Sequence, residues 1–599
     1  MRAAPRPWTL VSMVLVASVG TAVIAQGGRA QAPALPFTFV ETGQAAGLVH
    51  RTVYGDEQHN RFLLETTGSG VALIDYDGDG WLDVFFVNGT TLDRSAADPM
   101  PSAHLYRNLR DGRFEDVTAA AGLVQTGWGQ GACVGDVDND GRDDLYVTYW
   151  GQNRLFRNLG GRFEDVTDRA GLATPRRWGA GCAFFDLNRD GTLDLFVANY
   201  IDFDPTSTPT PDSGLCRYKG MPVACGPPGL KGGRHVLYQN TGRGIFVDRS
   251  EAAGILATSA TYGMGVSTLD FNDDGWPDVY VASDSSPSAL FVNNRDGTMT
   301  DQAVAAGCAF SQDGKPQAGM GVAIGDIDRS GTMDIIKTNF AGDTSTLYLN
   351  DGKGFCDDRT FAAGLGVNTR FLGWGVGLLD LDRDGWKDVF MVNGHVYPEV
   401  AGLPGESSYA QRKVVYRHTG AGRYEDITER LGPPVTTPRA GRGAAFGDVD
   451  NDGDVDVIVN NMHASPDLYR VDTRSGAGHW VMLALTGVVS NRNAIGARVW
   501  VEAGEDRWVD EVRGGGSYYS QNDFRLHVGL GTHQRVDRVR VRWPTGQEEV
   551  WTDVSVNRIV TLREGGGRPL EKARDQVRDP GAADRRPGAR RGAGTAVDR

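Results

Sequence analysis

One nine-residue pattern, D-x-D/N-x-D/S-G-x-x-D, occurs seven times along the 599-residue chain. Such a loop suits calcium, which takes six to eight hard oxygen ligands: side chains at positions 1, 3 and 5, a backbone carbonyl at 7 and a carboxylate at 9 can wrap the ion. In the first copy Asp75, Asp77, Asp79 and Asp83 supply carboxylates, Gly80 permits the turn and Trp81 offers its carbonyl. The second copy sets out Asp136, Asp138, Asp140, Arg142 and Asp144, and the third Asp186, Asn188, Asp190, Thr192 and Asp194. The fourth has Asp270, Asn272, Asp274, Trp276 and Asp278, and the fifth Asp326, Asp328, Ser330, Thr332 and Asp334. Asp380, Asp382, Asp384, Trp386 and Asp388 make the sixth, and Asp448, Asp450, Asp452, Asp454 and Asp456 the seventh. Asn188, Asn272 and Ser330 replace a carboxylate with a neutral oxygen, so their loops are expected to bind more weakly.

An EF-hand shares this opening but needs a Glu at position 12 and flanking helices. Position 12 here is Phe86, Val147, Val197, Val281, Lys337, Met391 or Val459, inside runs of strand character. A plain Asp/Gly hairpin turn needs one or two such residues. Three or four converging carboxylates repel one another unless a cation relieves them. The formal net charge is −15, and seven calcium ions would bring it to about −1, so the acidity points to bound metal and not to a cationic partner.

The elements that hold these loops are short. Each loop is preceded by Gly-x-Gly, from Gly68/Gly70 to Gly441/Gly443, and followed by an apolar run such as VFFVN or LFVAN. Most repeats open with F-x-D-V-T-x-x-A-G-L, as at Phe114 and Phe163, and close with L-Y/F-R-N, as at Leu105 and Leu155. A strand, an acidic loop, a strand and two outer strands per repeat make a propeller blade. The expected fold is therefore all-β: a seven-bladed β-propeller with calcium loops over 37–474, followed by a small C-terminal β domain over 475–563. The glycines fit the innermost strand, where backbones crowd. A nucleotide loop is excluded because Gly-x-Gly leads into an acidic turn instead of a helix N-terminus. Trp128, Trp178 and Tyr262 precede three of these pairs and are expected to pack between blades instead of forming a sugar-stacking rim.

Arg2, Arg6 and the apolar Thr9 to Ile24 read as an export signal cleaved after Ala25 (1–25), too short for a spanning helix. The expected location is secreted, periplasmic or cell-surface, with no stable membrane insertion of the mature chain. Six cysteines fit an oxidising compartment. By position only Cys216 and Cys225 read as a disulfide, inside a Pro-rich insertion at about 201–233 that is either a functional loop or a packing cap. No zinc set completes around them. The tail, 564–599, is rich in Arg, Gly and Pro and is expected to be disordered, its basic pairs Arg585-Arg586 and Arg590-Arg591 solvated.

SNRNAIGARV (Ser490 to Val499), GGGSYYSQ (Gly514 to Gln521), GLG (Gly529 to Gly531) and RWPTG (Arg542 to Gly546) resemble the ASPIC/UnbV domain, and the acidic repeats resemble FG-GAP/VCBS propeller repeats. With CGPPGL (Cys225 to Leu230) and NGHVYP (Asn393 to Pro398), the chain resembles the bacterial relatives of cartilage acidic protein from about Phe37 to Leu562. The resemblance implies an extracellular calcium-binding propeller and carries over no catalytic residue.

The leading expectation is an interaction or adhesion module for an extracellular protein or glycan, with no nucleic-acid partner and calcium, about seven ions, as its cofactor. No HExxH, G-x-S-x-G or CxxCH motif is present, and His395 in NGHVYP is expected to be a hydrogen-bonded structural residue. A secreted enzyme acting on polysaccharide, a redox enzyme and a structural envelope protein are the alternatives.

Overall fold

Every acidic loop joins two antiparallel strands, and its position-9 aspartate opens the second: Asp83, Asp144, Asp194, Asp278, Asp334, Asp388 and Asp456 are each first in a strand. Six of these second strands, such as Asp83–Phe86 and Asp334–Asn339, are buried along their whole length, and Asp144–Gly151 is buried except at its last two residues, which is why they read as continuous apolar runs without alternation. The computed structural model describes residues 34–570, apart from 94–100, 402, 404–407, 421 and 475. The expected export signal lies outside the described residues.

In the first unit the strands Val71–Ile74, Asp83–Phe86, His104–Asn108 and Phe114–Asp116 pair in that order. Six further units repeat this, their first strands being Gly129–Gly135, Arg177–Phe185, Gly263–Leu269, Gly319–Gly325, Gly373–Leu379 and Gly441–Gly447. Units 2 and 3 are also joined at their edges, where Arg177 pairs with Gly151 and Trp178 with Trp150. Each first strand lies against the next, and Gly441–Gly447 lies against Val71–Ile74, so the seven sheets close into the ring of a β-propeller.

Closure uses a strand that the repeat pattern did not reveal. The fourth strand of unit 7 is Phe37–Glu41, paired from Phe37 with Thr473 to Glu41 with Tyr469. The F-x-D segment, read from the sequence as the opening of a repeat, is the fourth strand of the sheet before it: Asn108 pairs with Phe114, and Asn158 with Phe163. Phe39 and the following Ala46-Gly47-Leu48 are a degenerate copy of that segment. Joining the first and last strands of the repeat region in one sheet removes the open edge that a ring would otherwise have.

The C-terminal region forms two sheets. His479–Thr486 lies between Leu526–Gly531 and, in parallel, Ile559–Arg563. The other sheet runs Asp506–Glu511, Arg498–Ala503, Val536–Arg542, Glu548–Val554, Arg568–Pro569. The described residues from Pro36 onward form one compact unit, with these two sheets packed on the ring. Residues 514–521 enter the axis of the ring. There the Tyr519 carbonyl accepts from Ala132 N (3.0 Å), Ser517 from Val322 N (2.9 Å) and Gly514 from Thr268 N (3.2 Å), while Gln521 N donates to the Val71 carbonyl (3.0 Å). The cause is the glycine pair. An inner strand without Cβ atoms exposes backbone polar groups toward the axis, and another backbone satisfies them. A Cβ on Gly70 would lie 2.0 Å from the Tyr519 carbonyl oxygen, and one on Gly321 would lie 2.0 Å from that of Trp374 in the next unit.

Order also extends past the expected start of the tail. The Glu564 carboxylate accepts the backbone N–H groups of Val488, Val489 and Ser490 at 2.7, 2.7 and 2.8 Å, and Arg568 pairs with Val550. Residues 564–567 therefore turn back and Arg568–Pro569 adds a short strand to the sheet, and the basic pairs beyond them lie outside the described residues. Three disulfides cross-link the chain: Cys216–Cys225 as expected, Cys133–Cys182 between the first strands of units 2 and 3, and Cys308–Cys356 between units 4 and 5. Among the described residues no helix is long and apolar enough to cross a membrane.

Candidate metal centres

The loops are folded by their own carboxylates. Asp75 accepts the N–H groups of Asp79 and Gly80, both at 2.9 Å, and Asp79 accepts that of Trp81 at 2.9 Å. Asp83 accepts Tyr76 N at 3.1 Å and, from the third strand, Asn108 N at 2.8 Å. Asp136 and Asp144 repeat the arrangement in loop 2, and Asp380 and Asp388 in loop 6. Position 6 is glycine because the backbone there is left-handed, with φ of 84° at Gly80 and 87° at Gly141.

In five loops the carboxylates of positions 1, 3 and 9 converge, one oxygen of each lying within 4.8 Å of the others. These are Asp75, Asp77 and Asp83; Asp136, Asp138 and Asp144; Asp326, Asp328 and Asp334; Asp380, Asp382 and Asp388; and Asp448, Asp450 and Asp456. In loops 3 and 4, Asn188 and Asn272 hold position 3. Position 5 stands outside these sets. Its carboxylate caps the N–H of position 7, as Asp140 does for Arg142 and Asp384 for Trp386.

Each of the five sets contains one buried carboxylate oxygen with no hydrogen-bond partner: Oδ1 of Asp77, Asp138, Asp326, Asp382 or Asp450. Asp326 is 6% exposed and Asp382 3%. A buried acceptor left without a donor costs about 1–3 kcal/mol, more when charged, and calls for an ion or water. The donor set is all hard oxygen and has no nitrogen or sulfur, which is the chemistry calcium or magnesium selects. Burial pushes Asp380 up to about 8, with the nearby charges of Asp384 and Asp382 adding to it, and burial pushes Asp83 and Asp144 up to about 8 as well. Asp388, Asp334 and Asp456 are raised well above the ordinary carboxylate range for the same first cause. Unanswered by a cation, such groups would take up protons near neutral pH.

Two residues of the L-Y/F-R-N segment belong to this machinery and were not recognised from the sequence, although the recurring motif was the signal. Its Asn, present in units 1 to 5, ties the loop to the neighbouring unit: Asn108 Nδ2 donates to the Val449 carbonyl at 2.7 Å, Asn158 to Tyr76 at 2.8 Å and Asn240 to Val137 at 2.8 Å, whereas units 6 and 7 have His418 and Val471 there. Its Arg faces position 3 of its own loop, with Arg107 Nε 2.9 Å from Asp77 Oδ2 and Arg417 Nε 2.5 Å from Asp382 Oδ2. Arg157 and Arg470 meet Asp138 and Asp450 in the same way.

The C-terminal region rests on the loop face. Asn493 accepts Asp136 N (2.7 Å) and donates to Asp143 (2.7 Å), Arg525 donates to the Asp448 carbonyl (2.6 Å), and Trp508 donates to that of Gly385 (3.0 Å). Arg542 pairs with Asp270.

At the opposite ends of the strands lies a cavity of about 800 Å³, with Tyr200, Asp284, Trp374 and Tyr397 in its wall and Gly226 to Pro228 of the insertion along its edge. Tyr200 donates to Asp284 at 2.7 Å, and burial raises the Asp284 carboxyl above its ordinary range. The insertion packs Tyr218 on His395 and Tyr397, with ring centroids 5.3 and 5.4 Å apart. Trp128 and Trp178 are buried, in keeping with packing between units, whereas Tyr262 is half-buried and bonds the Leu230 carbonyl at 2.7 Å. His395 is fully buried and its Nδ1 accepts Tyr397 N at 3.1 Å. Burial lowers its pKa to about 4.

The family model described as ASPIC and UnbV matches residues 487–569, and the FG-GAP-like repeat model matches 75–147, 136–197, 270–336 and 392–459. Cartilage acidic protein 1 of Homo sapiens is 25% identical over 540 residues, covering 80% of this chain and 69% of that protein. The Xenopus tropicalis protein of the same name is 26% identical over 511 residues, covering 80% and 70%. Among solved structures, an Agrocybe aegerita lectin that recognises non-reducing terminal N-acetylglucosamine superposes with a TM-score of 0.35 at 14% identity, over 66% of this chain and 86% of that one. YCF48 bound to D1 peptide superposes with a TM-score of 0.38 at 8% identity, over 71% and 99%. The chain thus carries FG-GAP-like repeats and an ASPIC and UnbV domain, and it is similar to cartilage acidic protein 1 over four-fifths of its length.

Proposed function

We propose that the protein is an exported, calcium-dependent interaction module: seven loops take calcium, the ring is thereby made rigid, and the face away from the loops engages an extracellular protein or glycan. In this reading 1–25 is a cleaved signal, 37–474 the propeller, and the region from 475 a C-terminal element that braces the loop face. The observation that carries it is the recurrence, in five loops, of a buried carboxylate oxygen without a partner beside two further carboxylates. Asp75, Asp77 and Asp83 and their equivalents would hold the ion, with Asn188 and Asn272 serving at position 3 in loops 3 and 4. The ion supplies positive charge at the turns, and the chain's own part is to fold each turn around its carboxylates.

The axial cavity is the place for a ligand. Its wall combines aromatic rings with a buried carboxylate, the mixture of apolar surface and a few placed polar groups that ligand sites use. A glycan array and a panel of matrix proteins, probed with the mature chain in calcium, test the reading. Saturable binding that D284N or Y397A weakens supports it. Cavity-dependent cleavage of a polysaccharide would instead make the protein an enzyme, and absence of binding with an intact fold would leave a structural role.

A further inference from the structure

The seven loops are not equivalent, and the difference tracks one residue two strands away. In units 1, 2, 6 and 7 the third strand carries Arg107, Arg157, Arg417 and Arg470, and each stands against Oδ2 of the position-3 aspartate. The corresponding residues of units 3, 4 and 5 are Gln239, Val292 and Leu349. Where position 3 is Asn188 or Asn272 there is no arginine. A guanidinium there would face a neutral amide at position 3 in place of a carboxylate.

The geometry divides the work between the two oxygens of each aspartate. Asp77, Asp138, Asp382 and Asp450 all meet the arginine through Oδ2, and in all four Oδ1 is buried with no hydrogen-bond partner. Arg417 also comes within 3.5 Å of Asp384, and Arg157 within 3.4 Å of Asp140, so the same side chain spans positions 3 and 5. Holding one oxygen of a carboxylate fixes the direction of the other, which is how residues behind the ligands of a metal site govern affinity. The fork of arginine suits this role better than a point charge.

We propose that the third-strand arginine is a positioning residue for the loop cation: it grips the position-3 aspartate by Oδ2 and aims Oδ1 at the ion, giving four braced loops in units 1, 2, 6 and 7 and three unbraced ones. This rests on the calcium reading above. The braced loops hold their carboxylates ready before the ion arrives, whereas loops 3, 4 and 5 must order position 3 on binding.

Equilibrium dialysis of the mature chain against graded free calcium tests it, comparing the parent with R417Q, R107Q and, as a control in an unbraced unit, L349Q. Removal of such an outer partner is worth 10–100-fold in metal affinity. R417Q is therefore expected to move one ion per chain to an affinity about tenfold weaker and leave the others in place, and L349Q to change nothing. Near-ultraviolet circular dichroism establishes that each variant is folded, and R107Q repeats the measurement should R417Q fail that check. Unchanged or tighter binding in the arginine variants while the parent binds normally would overturn the positioning role and make the arginine a bystander or a competitor of the ion. A parent that binds no calcium would remove the cation reading and this inference together.

Discussion

The two ends of the ring are built on different principles. The loop end is repetition: in every turn the position-1 aspartate accepts the N–H of the position-6 glycine and the position-9 aspartate that of position 2, and the C-terminal region lies across it. The far end is exception: the disulfide-closed insertion, Asp284 and Tyr397 occur once each and gather around the cavity. Repetition makes a scaffold whose tolerance of change is small, because each inner strand packs backbone to backbone on the next. The exceptions sit on loops that can change without disturbing the ring.

The sharpest break in that comparison is a methyl group. Gly70→Ala places its Cβ 2.0 Å from the Tyr519 carbonyl oxygen and is expected to cost more than about 4 kcal/mol in chemical denaturation. Gly220→Ala, at the tip of the insertion hairpin with φ of 89° and open space around it, should cost about 1 kcal/mol. Next in size is the loss of a position-9 carboxylate. Asp334→Ala strips an acceptor from Ile327 N and Asn350 N and should cost about 2–4 kcal/mol together with one bound ion. On the far face Asp284→Asn is expected to leave stability at neutral pH unchanged or higher. Burial raises the folded pKa of Asp284, so the folded chain binds the extra proton and its charge opposes folding as pH rises.

A third contrast is in pH. His235 is buried and its pKa is lowered to about 4 by that burial, against an ordinary 6.5. The folded state then binds fewer protons than the unfolded one below pH 6.5. Its contribution is complete above that value and is lost as pH falls toward 4, by about 3 kcal/mol. Denaturation midpoints across pH 4–7 for the parent and His235→Asn should show the parent's slope flattened in the variant. The smallest effect belongs to the insertion's exposed Lys231–Asp202 pair: Lys231→Ala should stay within about 0.5 kcal/mol in the same assay.

What was legible in the residues follows the same division. Seven Asp-rich turns, the glycine pairs and the strand after each loop were readable because they recur, and recurrence separates a designed turn from an ordinary one. The fourth strand was assigned to the following repeat, since nothing local distinguishes the opening of one sheet from the close of the last. The strand pairing settles that phase, from Asn108 with Phe114 to Phe37–Glu41 with Asp467–Thr473. The insertion of residues 514–521 into the axis was not readable at all: GGGSYYSQ looks like a loop, and its partners are backbone groups more than 100 residues away. Of the site, the aspartates expected at positions 1, 3 and 9 are brought together in five loops, while the arginine that faces them is hidden in a motif that reads as strand. Pairs such as Cys133–Cys182 were likewise unreadable, because two cysteines on adjacent inner strands are 49 positions apart in sequence.

The central claim is that the carboxylates of the loop face are completed by calcium. Metal content by mass spectrometry and thermal melting of the mature chain, before chelation, after it and after calcium add-back, test this directly. The account expects about seven calcium ions per chain, a large fall in melting temperature on removal, and recovery on return of calcium but not of an equal concentration of a monovalent salt. Each ion that binds only the folded state adds RT ln(1 + [L]/Kd), so the fall should deepen with the calcium originally present. A chain purified without calcium, whose melting temperature stays the same with and without millimolar calcium, would contradict it.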